Sequence, residues 1–455
     1  MITLDRSIKP EASDEISFTL PEIEKFKLEN ELEVYFIRKN KLPLLQFNLV
    51  VNVGSIYDPA GEKGLSNLFS MTVDEGAGDY DALTLSDEFD TLGSSFSVYC
   101  SQDNSYFILQ TLKENFERSL ELFGTVITKP HFNEKDFERE QRKMITRLLQ
   151  LKDEPDEIAD SVFERNLFGG LNPYAYQVSG YDNDVKNIQV EDVKNFFANY
   201  ILPNNSVLIV VGDSNVEELK EKLNMYLKEW KPGSIPEINI TERRTDSPKF
   251  FIFDKKDTVQ TEIRIGHLST KRNDGDYFSK TILNTILGGQ FTSRINLNLR
   301  ENKGYTYGAL SRFNYYKYES YFGVSTSVGI ENTGSAVNEI FNELKEIKNG
   351  VLTSELEFAK SSLIRKFPSS FETYKQIASN LTGMVIHSLP DNYFNTYIDN
   401  VKNVSLEDVN EASKYISPEN SIVVLVGEKE KILSQLDSAS THEIVEVNIE
   451  GEPVN

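Results

Sequence analysis

Pro203-Asn-Asn-Ser-Val-Leu-Ile-Val-Val-Gly212 returns as Pro418-Glu-Asn-Ser-Ile-Val-Val-Leu-Val-Gly427, 215 residues later. Both copies read as a turn, an all-apolar strand and a closing glycine. Upstream, Val185-Lys-Asn-Ile-Gln-Val-Glu-Asp-Val193 returns as Val401-Lys-Asn-Val-Ser-Leu-Glu-Asp-Val409, 216 residues later. Two unrelated segments rarely share a helix start, a turn, a strand and a terminal glycine in one order. Solenoid repeats are far shorter than this period, so it marks two copies of one domain.

Outward from the repeat, the hydrophobic pattern agrees. Each half opens with strands, Glu33–Ile37 and Leu44–Val53 in the first, Phe250–Asp254 and Gln260–Leu268 in the second. Leu65, Leu68, Phe69 and Val73 then recur at helical spacing, with Ile282, Leu283, Ile286 and Leu287 as their counterparts. More strands follow around Phe96–Leu112 and Tyr305–Val328, then helices through Phe137–Leu151 and Glu355–Lys366. Strands and helices in separate blocks predict an α+β fold with an antiparallel or mixed sheet in each half. The expected boundaries are a first domain over 1–232, a Pro/Gly-bearing linker over 233–248, a second domain over 249–440 and an acidic tail over 441–455.

The 455 residues carry 48 Lys and Arg against 71 Asp and Glu, a net charge of −23, which argues against nucleic acid and anionic membranes as partners. Hydrophobic residues at 39% and charged ones at 26% are a globular composition. Cys100 is the only cysteine and has no partner for an internal disulfide. Apolar runs such as Val207–Val211 and Ile422–Val426 are far too short to span a bilayer. The residues from Met1 to Pro21 lack a signal-peptide pattern, so a cytoplasmic protein is the simplest reading, with the periplasm as the alternative if a leader is missing.

His131, His267, His387 and His442 lie far apart, with no His-x-x-Glu-His, His-x-x-x-His or Cys-x-x-Cys pair that would write a local zinc site. Each reads as a structural or surface histidine, and Cys100 as an inert buried thiol. Gly288-Gly289 reads as a helix stop. In Ser293-Arg-Ile-Asn-Leu-Asn-Leu-Arg-Glu-Asn-Lys-Gly-Tyr-Thr-Tyr307 the helix is expected to run to Glu301 or Asn302, with Gly304 as its stop and Tyr307 opening the next strand. On residue types alone, Arg300 caps the helix dipole and Tyr307 packs.

Leu287-Gly-Gly-Gln-Phe-Thr-Ser-Arg294 and Leu299-Arg-Glu-Asn-Lys-Gly-Tyr-Thr-Tyr307 resemble the second-domain signature of the pitrilysin/insulinase family of zinc metallopeptidases, the inverted zincins. Gly54-Ser-Ile-Tyr-Asp-Pro-Ala-Gly-Glu-Lys-Gly-Leu65 resembles the lead-in to that family's metal helix, and Pro203–Asp213 its closing first-domain strand. Matching segments run from about 25 to 435, and in particular they resemble short bacterial members and mitochondrial processing peptidase subunits. The resemblance implies that Arg300 and Tyr307 contact substrate.

The departure lies in the first half. Family catalysts carry His-x-x-Glu-His after the Gly-Leu lead-in, where this chain has Asn67, Ser70 and Met71; the later glutamate ligand falls by spacing on Arg147. An amide, a hydroxyl, a thioether and a guanidinium neither hold zinc nor activate water. The resemblance therefore implies a zinc-free, substrate-binding subunit of a heterodimeric zinc metalloendopeptidase. Zinc would belong to a partner bearing the His-x-x-Glu-His motif, and the substrate would be a peptide or unfolded polypeptide. Two alternatives stand beside it: an inert structural or assembly protein of the same fold, and an enzyme using other residues.

Overall fold

The computed structural model describes residues 16–238, 240, 249–436 and 443–454. Six strands build the first sheet: β1 (Glu24–Lys27), β2 (Glu33–Arg38), β3 (Leu44–Val51), β4 (Ser95–Cys100), β5 (Ser105–Leu112) and β6 (Ser206–Gly212). Six more build the second: β7 (Lys249–Asp254), β8 (Gln260–Leu268), β9 (Ala309–Tyr315), β10 (Ser320–Gly329), β11 (Ile422–Gly427) and β12 (Glu443–Glu446). Their spatial orders are β1-β2-β6-β3-β5-β4 and β12-β7-β11-β8-β10-β9. Over the five strands β2-β6-β3-β5-β4 and β7-β11-β8-β10-β9 these are one topology, with β6 and β11, the strands of the quoted repeat, in matching places.

Both sheets are mixed, because β6 runs parallel to β2 but antiparallel to β3, and β11 runs parallel to β7 but antiparallel to β8. The outermost position differs. In the first sheet β1 precedes the repeat and pairs antiparallel with β2; in the second, β12 follows the repeat and pairs parallel with β7. Residues 443–446, expected in an acidic tail, therefore form an edge strand. The expected linker over 233–248 lies largely outside the described residues, as does His442.

The strands β6 and β11 are apolar at successive positions because both faces of each sheet are covered. Leu208 and Val210 join Phe47, Leu49, Leu68 and Phe69 in the first half's own core. Ile209 and Val211 point the other way, onto Phe371, Ile377 and Leu381 of the second half. The helix Tyr374–Ile386 lies across β3 and β6, and the helix Pro155–Phe168 lies across β8 and β11. Each half thus lends one helix to the other's sheet. Phe163 shows how closely the lent helix fits: Gly266 and Gly323 face each other across β8 and β10, and a Cβ on Gly266 would lie 2.8 Å from the Phe163 ring. Among the described residues no helix is long and apolar enough to cross a membrane.

Candidate functional site

The helix Leu65–Thr72 begins at Gly64, whose φ of 101° is a left-handed conformation that glycine adopts without a Cβ clash. No side chain caps it locally. Instead the buried Asp58 carboxylate accepts hydrogen bonds of 2.9 Å from the backbone N–H groups of Gly64 and Ser66. Burial outweighs these bonds and pushes the Asp58 carboxyl up to about 7. The helix then buries Leu65, Ser66, Leu68, Phe69, Ser70 and Thr72.

Asn67 and Met71 remain half-buried on its other side. The Asn67 amide lies 3.9 Å from the Met144 sulfur, the Ser70 hydroxyl donates to the Asn67 carbonyl at 2.7 Å, and Met71 packs on the core. Met144 belongs to the helix Glu134–Leu151; Arg147, one turn further on, is exposed, and its charge acts on Glu157. The side chain of that helix in contact with Asn67 is thus a thioether. Amide, hydroxyl and two thioethers make a poor donor set for zinc. Among the described residues no group of three or more His, Cys, Asp or Glu could hold a metal ion.

The second half is built differently. Arg294 makes a bidentate pair with Glu355, two bonds of 2.7 Å, and fixes the start of the segment. Leu297–Asn302 then closes as a π-helical turn, a rare geometry that often marks functional sites. It carries Arg300, whose guanidinium sits 4.3 Å from the ring centre of Phe291, with Glu301 at 3.4 Å. The Arg300 Nη1 is the atom that makes this ion pair with Glu301 and has no closer hydrogen bond, and Phe291 is 62% exposed. Gly304, at φ 69°, ends the turn as expected.

Tyr307 departs from expectation. It lies in the loop before β9 and is 93% exposed, because Gly308 turns back through bonds with Thr306 and Thr326 and the strand starts only at Ala309. One residue that sequence reasoning missed ties this region together. The buried Asn296 donates to the Phe291 carbonyl at 2.6 Å and accepts from the Ala309 N–H at 3.0 Å. It thereby clips the shelf under Arg300 to the strand that follows Tyr307. Its signal was an asparagine inside an otherwise helical apolar pattern, a position where asparagine is a weak helix former.

Of the three described histidines, two have hydrogen-bonded rings. His267 accepts from the Ser417 N–H at 2.9 Å and meets the Leu268 carbonyl at 2.9 Å, and burial lowers its pKa. His131 meets the Gly78 carbonyl at 2.7 Å. Burial, then the charge of Arg272, pulls His387 down to about 4. Burial pushes the Cys100 thiol up to about 12, which removes it as a nucleophile. Gly288 and Gly289 both donate to the Asn284 carbonyl, so the pair is a helix stop.

Comparison with known proteins agrees with this geometry. Residues 35–172 match the profile described as Insulinase (Peptidase family M16), and residues 187–363 match the profile described as Peptidase M16 inactive domain. A non-peptidase homolog named YmxG from Helicobacter pylori is 22% identical over 407 residues, covering 88% of this chain and 93% of that protein. A zinc protease named PqqE from the same organism is 25% identical over 375 residues, covering 79% and 82%. The solved structure of a peptidase M16 inactive domain from Pseudomonas fluorescens superposes with a TM-score of 0.82 at 23% identity, covering 89% of this chain and 98% of that one. With the duplicated sheets, the two profile matches in chain order and the Arg300–Tyr307 segment in the second half, the chain belongs to the M16, or insulinase, peptidase family.

Proposed function

We propose that this chain is a non-catalytic, substrate-binding subunit of a heterodimeric zinc metalloendopeptidase. A homologous partner carries the zinc motif, and this chain supplies Arg300 and Tyr307. The observation that carries the reading is the contrast inside one molecule: the metal-helix positions hold Asn67, Ser70 and Met71, while Tyr307 stands 93% exposed and Arg300, seven residues before it, has as its one ion pair among the described residues a 3.4 Å contact with its chain neighbour Glu301. A side chain that only packed would not be left in water with its hydroxyl free.

The chemistry of these two groups is electrostatic. During attack on a peptide bond the carbonyl oxygen gains negative charge. The Tyr307 hydroxyl and the Arg300 guanidinium donate hydrogen bonds to such an oxygen or to the substrate backbone. Phe291 fixes the plane of the guanidinium, and Asn296 holds both ends of the segment, so little reorganisation is required when charge develops.

The test is hydrolysis of a quenched fluorescent peptide by this chain, by a zinc-motif homologue from the same organism, and by their mixture. Activity is expected from the mixture only, falling by about 10²–10³ with Tyr307→Phe or Arg300→Ala. Tight association without hydrolysis would instead favour the inert assembly protein. Zinc-dependent cleavage by this chain alone would overturn both readings.

A further inference from the structure

A cavity of about 260 Å³ opens where the helix Pro155–Phe168, lent by the first half, leaves part of the second sheet uncovered. Its polar wall is formed by Asp160 and Glu164 from that helix, Arg264 from β8, and Arg312 and Asn314 from β9. The floor is low because Gly323 of β10 stands opposite Arg312. The Arg300–Tyr307 chemistry does not use this cavity, whose lining includes neither residue.

Its charges are arranged unusually for a protein of net charge −23. Arg264 is nearly buried and pairs with Asp160 and, behind the wall, with Glu262. It also donates to the backbone carbonyls of Ile263 and Asp156. Those four bonds leave one of its five N–H donors, on Nη2, free for the cavity. Arg312 is exposed on the edge strand and forms no ion pair among the described residues.

Glu164 completes the site. One of its oxygens accepts a 3.0 Å hydrogen bond from the Tyr316 hydroxyl. Burial pushes the Glu164 carboxyl up to about 8; the Tyr316 bond opposes this shift and the nearby Asp160 charge adds to it. Tyr321 of β10 also faces the carboxyl, and its own titration is raised above the neutral range by burial and by Glu164. Asp103, behind Tyr316, raises that tyrosine's pKa rather than supplying a cation. At neutral pH the cavity therefore has Arg264 paired with Asp160 and Glu262, Arg312 without an ion pair among the described residues, and Glu164 as a neutral acid whose second oxygen can donate a proton.

We propose that this cavity binds a carboxylate, either the free C-terminus of a peptide or a small organic acid. Arg312 supplies the uncompensated charge, Arg264 its remaining N–H, and the Glu164 O–H a third donor, with the Asn314 amide at the rim. A neutral carboxylic acid donating to a carboxylate is a strong, short pairing that exists only while the acid keeps its proton.

The experiment titrates the full-length chain by calorimetry with acetyl-triglycine, its C-terminal amide, and acetate. The free acid is expected to bind and the amide not. Arg312→Gln is expected to weaken the acid about tenfold, as loss of a hydrogen bond to a charged group does. Affinity should fall as pH rises through about 8, because ionised Glu164 repels the ligand, and Glu164→Gln should abolish that fall. Acetate binding as tightly as the tripeptide would identify a small-acid site, and tighter tripeptide binding a peptide terminus; either supports the proposal. Equal binding of acid and amide, no binding of the acid at millimolar concentration, an unaffected Arg312→Gln, or a Glu164→Gln variant that keeps the wild-type pH profile would overturn it. Both variants should keep the wild-type circular dichroism, since one side chain is exposed and the other is replaced by an isostere.

Discussion

The helix Leu65–Thr72 and the segment Leu297–Tyr307 are the stretches that line up with the family's motifs by resemblance, and they are built in opposite ways. The first has six of its eight residues buried, is clamped at its start by Asp58, and has its remaining outward positions filled by Asn67 and Met71. The second holds a rare helical geometry, stacks a guanidinium on an exposed phenylalanine and leaves a tyrosine in water. Exposed aromatic surface costs stability. The second segment thus leaves side chains uncovered, whereas the first is closed into the core.

The largest expected effect breaks what the two halves share. Phe163 of the lent helix sits over the glycine pair of the second sheet, and Phe163→Ala should cost about 3–5 kcal/mol from lost burial and the cavity left behind. Because Tyr374–Ile386 makes the reciprocal contact, urea unfolding followed by circular dichroism should remain one transition, moved to lower urea. Two separated transitions, with only the second half affected, would show that the exchanged helices do not couple the halves.

This exchange also marks how far sequence alone reached. The duplication, the mixed or antiparallel sheets and most strand positions were legible, because period-2 and all-apolar runs report burial directly. Strands apolar on successive positions, Val207–Val211 and Ile422–Val426, already require both faces to be covered. Nothing local says which helix covers the second face, since any amphipathic helix of the right length satisfies that pattern. The strand β12 was hidden by its glutamates, which suit an exposed edge as well as a tail. At the site, Arg300 and Tyr307 were singled out by their resemblance to the family's second-domain signature. Their support by Phe291 and Asn296 was not, because a clip between a loop carbonyl and a strand N–H leaves no spacing rule to read.

A smaller effect sharpens the first half's side of the contrast. Asp58→Ala leaves the Gly64 and Ser66 N–H groups without their acceptor and should cost about 1–3 kcal/mol. The carboxyl also sets a pH dependence. Its folded pKa of about 7 lies above its unfolded value, so between the two the native state holds the extra proton. Stability from this group is complete below about pH 4 and is lost as pH rises through about 7. Buried Asp74, pushed up to about 6, contributes with the same sign. Asp58→Asn should therefore flatten the decline in urea midpoint across that window; a slope equal to the wild type's would place the proton elsewhere.

The smallest expected change in stability belongs to a residue on which the proposed function rests. Tyr307 is 93% exposed, so Tyr307→Phe should shift the unfolding free energy by no more than about 0.5 kcal/mol, the usual range for surface substitutions. Arg300→Ala should cost more, because it removes the stack on Phe291, worth about 0.5–1 kcal/mol at an exposed site. Differential scanning calorimetry of both variants beside the peptide assay separates two roles. Full stability with lost activity in the mixture means that Tyr307 acts on substrate. Activity and stability falling together would make the loop a structural element, and the contrast between the halves would then be one of packing alone.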